Sequence, residues 1–193
     1  MYRISTFFAL AFALTLAACD TGGEFVDQEL ITEVTLTITP EGGGSPLTIT
    51  ASDPDGDLVI DSFSPARLTV PAGTHAVTIR LTDTINDEDI TAEIRELAEE
   101  HLFRYTLSPA SAGSVTITDS ESDYTEEDGN DGDFNVGLAF DLTVNASATG
   151  NGTLNATLFH FDEDPKPSST ATSDEIDVDI DFPISFGSVV TAR

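Results

Sequence analysis

The chain has 193 residues, with 35 Asp and Glu against 7 Lys and Arg, for a formal charge of −28. Nucleic acids are bound through Lys and Arg contacts to phosphates, so this balance excludes a DNA- or RNA-binding role, and anionic membrane surfaces would repel the chain for the same reason. Yet 39% of the residues are apolar, and the length suits one domain with its own core.

Met1, Tyr2 and Arg3 precede an apolar run of 12 residues, 7–18 (FFALAFALTLAA). That run is too short to span a bilayer as a helix but has the length of a signal-peptide core. It ends Leu16-Ala17-Ala18-Cys19, followed by Asp20. This resembles the lipobox of bacterial lipoproteins, in which the signal peptidase cuts before the Cys and the thiol carries a diacylglycerol. The resemblance implies a signal peptide over 1–18, lipid attachment at Cys19, and a chain held at a bacterial membrane facing periplasm or exterior. Cys19 is the only cysteine, so disulfides, Cys-metal sites and thiol catalysis are excluded together. Residues 19–29 are acidic and Gly-containing and read as a tether, leaving 30–193 as one domain.

Within that domain, period-two alternation predicts strands. Val34, Leu36 and Ile38 share one face, as do Leu47 and Ile49, Val77, Ile79 and Leu81, and Phe103, Tyr105 and Leu107. The pattern returns at Val115 and Ile117, at Val136 through Val144, and at Leu154, Ala156 and Leu158. It is clearest where Ile176, Val178, Ile180, Phe182, Ile184 and Phe186 interleave with Asp177, Asp179, Asp181, Pro183 and Ser185. Pro183 lacks a ladder donor, so this strand should be an edge or be bulged there. Weaker strands are expected at 58–60 and 68–70. Gly- and Pro-rich turns separate them, as at 41–44, 71–73 and 150–152. About eight to ten short half-apolar strands predict an all-β, two-sheet Ig-like sandwich, with a closed β-barrel as the alternative.

One segment breaks the period. Over 88–101 the apolar positions Ile90, Ile94 and Leu97 follow helical spacing, with Asp87 or Asp89 placed to cap the N-terminus. An amphipathic helix of three to four turns is expected, crossing one end of the sandwich.

Chemistry is sparsely signalled. No serine sits in G-x-S-x-G, no Gly-rich loop continues into a Lys, and carboxylate pairs carry no specificity in so acidic a chain. Asp53, Asp55 and Asp57 alternate in a turn and suit a hard cation such as calcium, although positions six and twelve of an EF-hand loop would fall on Leu58 and Ser64. A second run, 126–133, offers Asp128, Asp131 and Asp133. Both runs fit calcium sites and both fit ordinary turns, for which Asp, Asn and Gly are default residues. His101 has Ala98 and Leu97 at the positions where a helical metal site would carry an acid. Buried histidines with backbone partners are therefore expected, against a joint transition-metal site of His101 and His160 with nearby acids. With no Trp, and Tyr124 as the one ring expected to be exposed, a sugar platform is disfavoured.

Glu88-Asp89-Ile90-Thr91 leading to Ala98-Glu99-Glu100-His101, Phe103 and Tyr105 is similar to a group of uncharacterised bacterial lipoproteins, in which E-D-I-T-x-E-I runs into A-x-E-H-x-F-x-Y. The likeness extends to residues 31–37, the turn at 53–57 and the closing strand at 177–182. Members are sometimes labelled "type 1 periplasmic binding fold", an architecture of two lobes that alternate strands and helices, whereas this chain predicts one helix. The resemblance implies an envelope location and no established activity.

The acid excess comprises 21 Asp and 14 Glu, and Lys166 is the only lysine. Calcium sites alone would not remove lysine from the rest of a surface, so the composition reads as adaptation to high salt. Together these features predict a non-enzymatic, lipid-anchored binding or structural module that needs no cofactor. Two alternatives stand beside it. One is an accessory lipoprotein of an outer-membrane uptake system, capturing a metal ion or small solute with an envelope protein as partner. The other is a hydrolase whose carboxylates the sequence does not single out.

Overall fold

The computed structural model describes residues 29–124, 133–161 and 165–187. Among these residues, ten strands form two sheets. They are β1 (Glu33–Pro40), β2 (Leu47–Ser52), β3 (Ser62–Ser64), β4 (Leu68–Val70), β5 (Gly73–Thr82), β6 (His101–Ser108), β7 (Gly113–Ile117), β8 (Ala139–Val144), β9 (Gly150–His160) and β10 (Glu175–Phe186). One sheet runs β3-β2-β1-β5-β8-β7 and the other β4-β10-β9-β6. The fold is an all-β two-sheet sandwich and not a closed barrel. It does not alternate strands and helices in two lobes.

The alternating apolar residues make the core. Leu36, Ile38 and Ile49 from the larger sheet and Phe103, Leu158 and Phe182 from the smaller are almost completely buried. Neighbouring positions turn outward, and Thr35 and Thr50, paired across β1 and β2, share a hydrogen bond of 2.8 Å. Burial of such side chains stabilises by about 1.5–3 kcal/mol each. Gly137 is required by packing. Its φ is +92°, and a Cβ there would lie 2.7 Å from the Cβ of Phe103.

Two expectations need correction, and a third resolves to one of its alternatives. The segment at 58–60 is not a strand; its Leu58 and Val59 are exposed, and the edge strand is β3 instead. The helix is shorter than its periodicity implied. Helix α1 (Ile90–Glu96) gives way to a 3-10 turn at Ala98–Glu100, and His101 already belongs to β6. Leu97 leaves helical geometry (φ −112°, ψ 43°) and is exposed, while Ala98 takes the buried position. Pairing of residues 101–108 with β9 overrides local helix propensity there. At Pro183 the edge alternative holds, and the bulge in β10 lies elsewhere. Its register with β9 shifts between Ile176 and Val178. Pro183 lies just outside the short pairing of β10 with β4, where the strand has one partner only.

Helix α1 links the two sheets by joining β5 to β6. Asp89 occupies its N-cap position without a side-chain cap hydrogen bond and pairs with Arg80 at 3.0 Å. Thr91 fixes the helix to β5 more directly. Its hydroxyl accepts from the Leu81 N–H at 2.7 Å and donates to the Leu81 carbonyl at 3.1 Å.

Candidate functional site

The shortened helix has a chemical consequence. As the first residue of β6, His101 lies directly opposite His160, the last residue of β9. Their rings stack with centroids 4.5 Å apart and planes 19° from parallel. The bulge in β10 brings in the third member. Alternation predicts Ile176 inside and Asp177 outside, but the inserted residue reverses them, so Ile176 is 41% exposed and Asp177 only 7%. Ligand atoms of His101, His160 and Asp177 all lie within 4.8 Å of one another.

The surrounding contacts orient these groups. His101 donates from Nδ1 to the Leu97 carbonyl at 2.9 Å, because a carbonyl can only accept. With Nδ1 engaged in that bond, Nε2 is the ring nitrogen that faces Glu29 Oε1, 3.8 Å away. On His160, Nδ1 lies 3.6 Å from Asp177 Oδ2 and Nε2 3.9 Å from Glu100 Oε2. The cluster therefore gathers two imidazoles and up to three carboxylates at one end of the smaller sheet.

Lys166 holds this end together. Its ammonium is fully buried and donates to the carbonyls of Ala98 and His101, the latter at 2.9 Å, while pairing with Glu121 Oε1 at 2.8 Å. Its own N–H bonds the Glu99 carbonyl at 2.9 Å. Burial pulls the ammonium below its usual range, and Glu121 opposes that shift. The only lysine is thus a strut beneath the turn that presents His101.

Burial pushes the Glu29 carboxyl up to about 7, helped by the charges of Asp177 and Glu93. The folded chain then holds this proton more tightly than the unfolded chain does. Stability should therefore fall as pH rises from about 4.5, the unfolded value, through about 7. In chelator, Glu29→Gln should flatten that part of the profile and be more stable than wild type at pH 8, about one unit above the folded value. Urea unfolding at several pH values checks this; an unchanged slope in the variant would refute it.

The acidic turn is built differently from its sequence reading. Asp53 is buried and accepts from the N–H groups of Gly56 (3.1 Å) and Leu58 (2.8 Å). Asp55 and Asp61 bring carboxylate oxygens within 4.8 Å of it. Asp57 is not the third member; it accepts from the Val59 N–H at 3.0 Å. Contact with the Asp53 carboxyl, followed by the charge of Asp57, raises the Asp55 pKa. The triad is an oxygen donor set of the hard-cation type. A cleft of about 150 Å³ joins this turn to the β10 bulge, with Asp53 and Asp177 both in its walls.

Asp133 is exposed and accepts from the N–H and hydroxyl of Ser122 at 3.0 and 2.9 Å, which lowers its pKa. Asp128, Asp131 and Cys19 lie outside the described residues. His75 binds the Pro71 carbonyl at 2.9 Å, away from the other two histidines. Tyr124 is not an exposed ring; it packs against the core, donates to Asp119 at 2.8 Å and faces Arg95.

Asp177, Asp61, Glu29 and Lys166 were missed by sequence reasoning. Pro183 marked the point where β10 has a single partner, but not the bulge that turns Asp177 inward. No protein-family model matches the chain, and neither does any curated protein sequence. Among the described residues, no helix is long and apolar enough to cross a membrane.

Proposed function

We propose that this protein is a lipid-anchored cell-envelope module that binds or displays rather than catalyses, with a surface suited to high salt. The observation that carries the salt reading is the fate of its lysine. Lys166 is buried, so the exposed positive charge of the described residues is four arginines, set against fifteen exposed acids. Acids on strand faces contribute as well as those in loops, as at Asp179 and Asp181 of β10.

Anchoring rests on the lipobox-like residues ending at Cys19. Expressed in a bacterial host, the wild-type chain should sediment with membranes and be released by detergent but not by molar salt. Cys19→Ala should lose the lipid-modified form, detected by mass spectrometry. Equal amounts of unmodified protein in the soluble fraction for both would refute the anchoring.

The imidazole–carboxylate cluster favours a second reading, the accessory lipoprotein that captures a metal ion for an envelope uptake system. Co-purification with an envelope transporter would support it.

A further inference from the structure

We propose that His101, His160 and Asp177, with Glu29 beside them, form an inter-strand binding site for one divalent transition ion of the zinc class. This deepens the capture reading. The site itself depends only on this chain, so ion binding and partner binding can fail separately.

The donor set is of the right kind. Neutral imidazole and carboxylate ligands suit zinc, with metal–ligand distances of about 2.0–2.2 Å. Ligands of one tetrahedral ion then lie about 3.3–3.6 Å apart. The His160 Nδ1 to Asp177 Oδ2 distance is 3.6 Å, and the three residues' ligand atoms already fall within 4.8 Å of one another. Closing on an ion thus requires movements of about an ångström. Because the rings are stacked, their nitrogen lone pairs lie in nearly parallel planes, so one ring must turn to converge on an ion. His160 is the more exposed ring, its side chain keeping 12% exposure while that of His101 has none.

The surroundings already supply the outer support that metal-bound histidines use. The Nδ1–H bond from His101 to the Leu97 carbonyl leaves Nε2 as the ligating atom and sets its direction. Lys166, bonded to the His101 carbonyl, fixes the backbone behind it.

The third observation is charge. Glu29 Oε1 lies 3.8 Å from His101 Nε2 and Asp177 Oδ2 3.6 Å from His160 Nδ1, so both carboxyl groups face the imidazoles. Among the described residues, Glu29 Oε2 is buried without a hydrogen-bond partner. Glu29 is not required by chain connectivity to face the cluster, since it precedes β1 by four residues. A divalent ion at Nε2 of His101 would neutralise both carboxylates at once. The β10 bulge, by turning Asp177 inward at the cost of exposing Ile176, is the kind of irregularity that re-aims a side chain toward a site.

The test uses the full-length chain in detergent, stripped with chelator and dialysed into molar NaCl to suppress loose binding to surface acids. Titration calorimetry with Zn²⁺ should give one site per chain. Co²⁺ should give visible bands of a low-coordinate site with nitrogen ligands. His160→Gln and Asp177→Asn should each weaken Zn²⁺ binding by about 100-fold or more, and should abolish or alter the Co²⁺ spectrum. Asp55→Asn, in the separate acidic turn, should leave both unchanged. Circular dichroism identifies a variant that fails to fold, and the other then decides. Absence of one-to-one Zn²⁺ binding, or binding that survives both substitutions in folded protein, or binding lost equally in Asp55→Asn, would overturn the proposal. Failure to co-purify with a transporter, with Zn²⁺ binding intact, would remove the uptake reading alone.

Discussion

Lys166→Met is expected to destabilise the folded domain by about 3–5 kcal/mol, the usual cost of breaking a buried ion pair from one side. Methionine fills the space of the lysine stem but offers no donors. The Ala98 and His101 carbonyls then lose the ammonium, and the largely buried Glu121 carboxylate keeps its charge without its 2.8 Å partner. At about 2–4 °C per kcal/mol for a domain of this size, the melting temperature should drop by roughly 10 °C. Adding Glu121→Gln should recover part of the loss, because it removes the stranded charge. A melt of Lys166→Met within a degree or two of wild type would mean that the ammonium is solvated and does not brace the His101 turn.

Asp119→Ala should be nearly as damaging, at about 3 kcal/mol or more. The Asp119 carboxylate is buried and accepts three hydrogen bonds, from the N–H of Gly137 at 2.9 Å, the N–H of Leu138 at 2.8 Å and the Tyr124 hydroxyl at 2.8 Å. Two of these donors are backbone groups in the stretch before β8, and both lose their acceptor in the variant. The carbonyl of Gly137 is held by the Tyr105 hydroxyl at 2.6 Å, so the peptide cannot simply turn toward solvent. Asp119→Asn keeps one acceptor oxygen but aims an amide NH₂ at a donor, and should lose most of the same stability. Chemical denaturation of the two variants checks this. A loss below about 1 kcal/mol in both would show that water replaces the carboxylate.

The sandwich was legible in the sequence because period-two alternation is a direct consequence of strand geometry. Val34, Leu36 and Ile38 in β1, and Leu154, Ala156 and Leu158 in β9, are buried as their spacing requires. The candidate site was mostly illegible, for three physical reasons. His101 and His160 are 59 positions apart, and only the register of β6 on β9 sets them opposite each other. Asp177 sits in a run whose alternation looks unbroken, and one inserted residue reverses the facing of Ile176 and Asp177 without any Gly to mark it. Lys166 lies in a polar loop, where a lone lysine reads as solvated, and its burial depends on three acceptors from distant segments. The helix end illustrates the same limit. Ile90 and Ile94 follow the helical period, but pairing of His101 with β9 takes the chain away before the period runs out.

The salt reading treats the acids as a surface property that needs screening. At about 0.1 M salt the screening length is about 10 Å, so the exposed acids repel across the surface; near 1 M it is about 3 Å and that repulsion is largely removed. A thermal melt of the chain across that range of NaCl is the most direct measurement. The melting temperature should rise by roughly 10 °C, corresponding to a few kcal/mol of relieved repulsion, and KCl should act like NaCl. A melting temperature that stays flat or falls as salt is added would contradict a surface built for high salt.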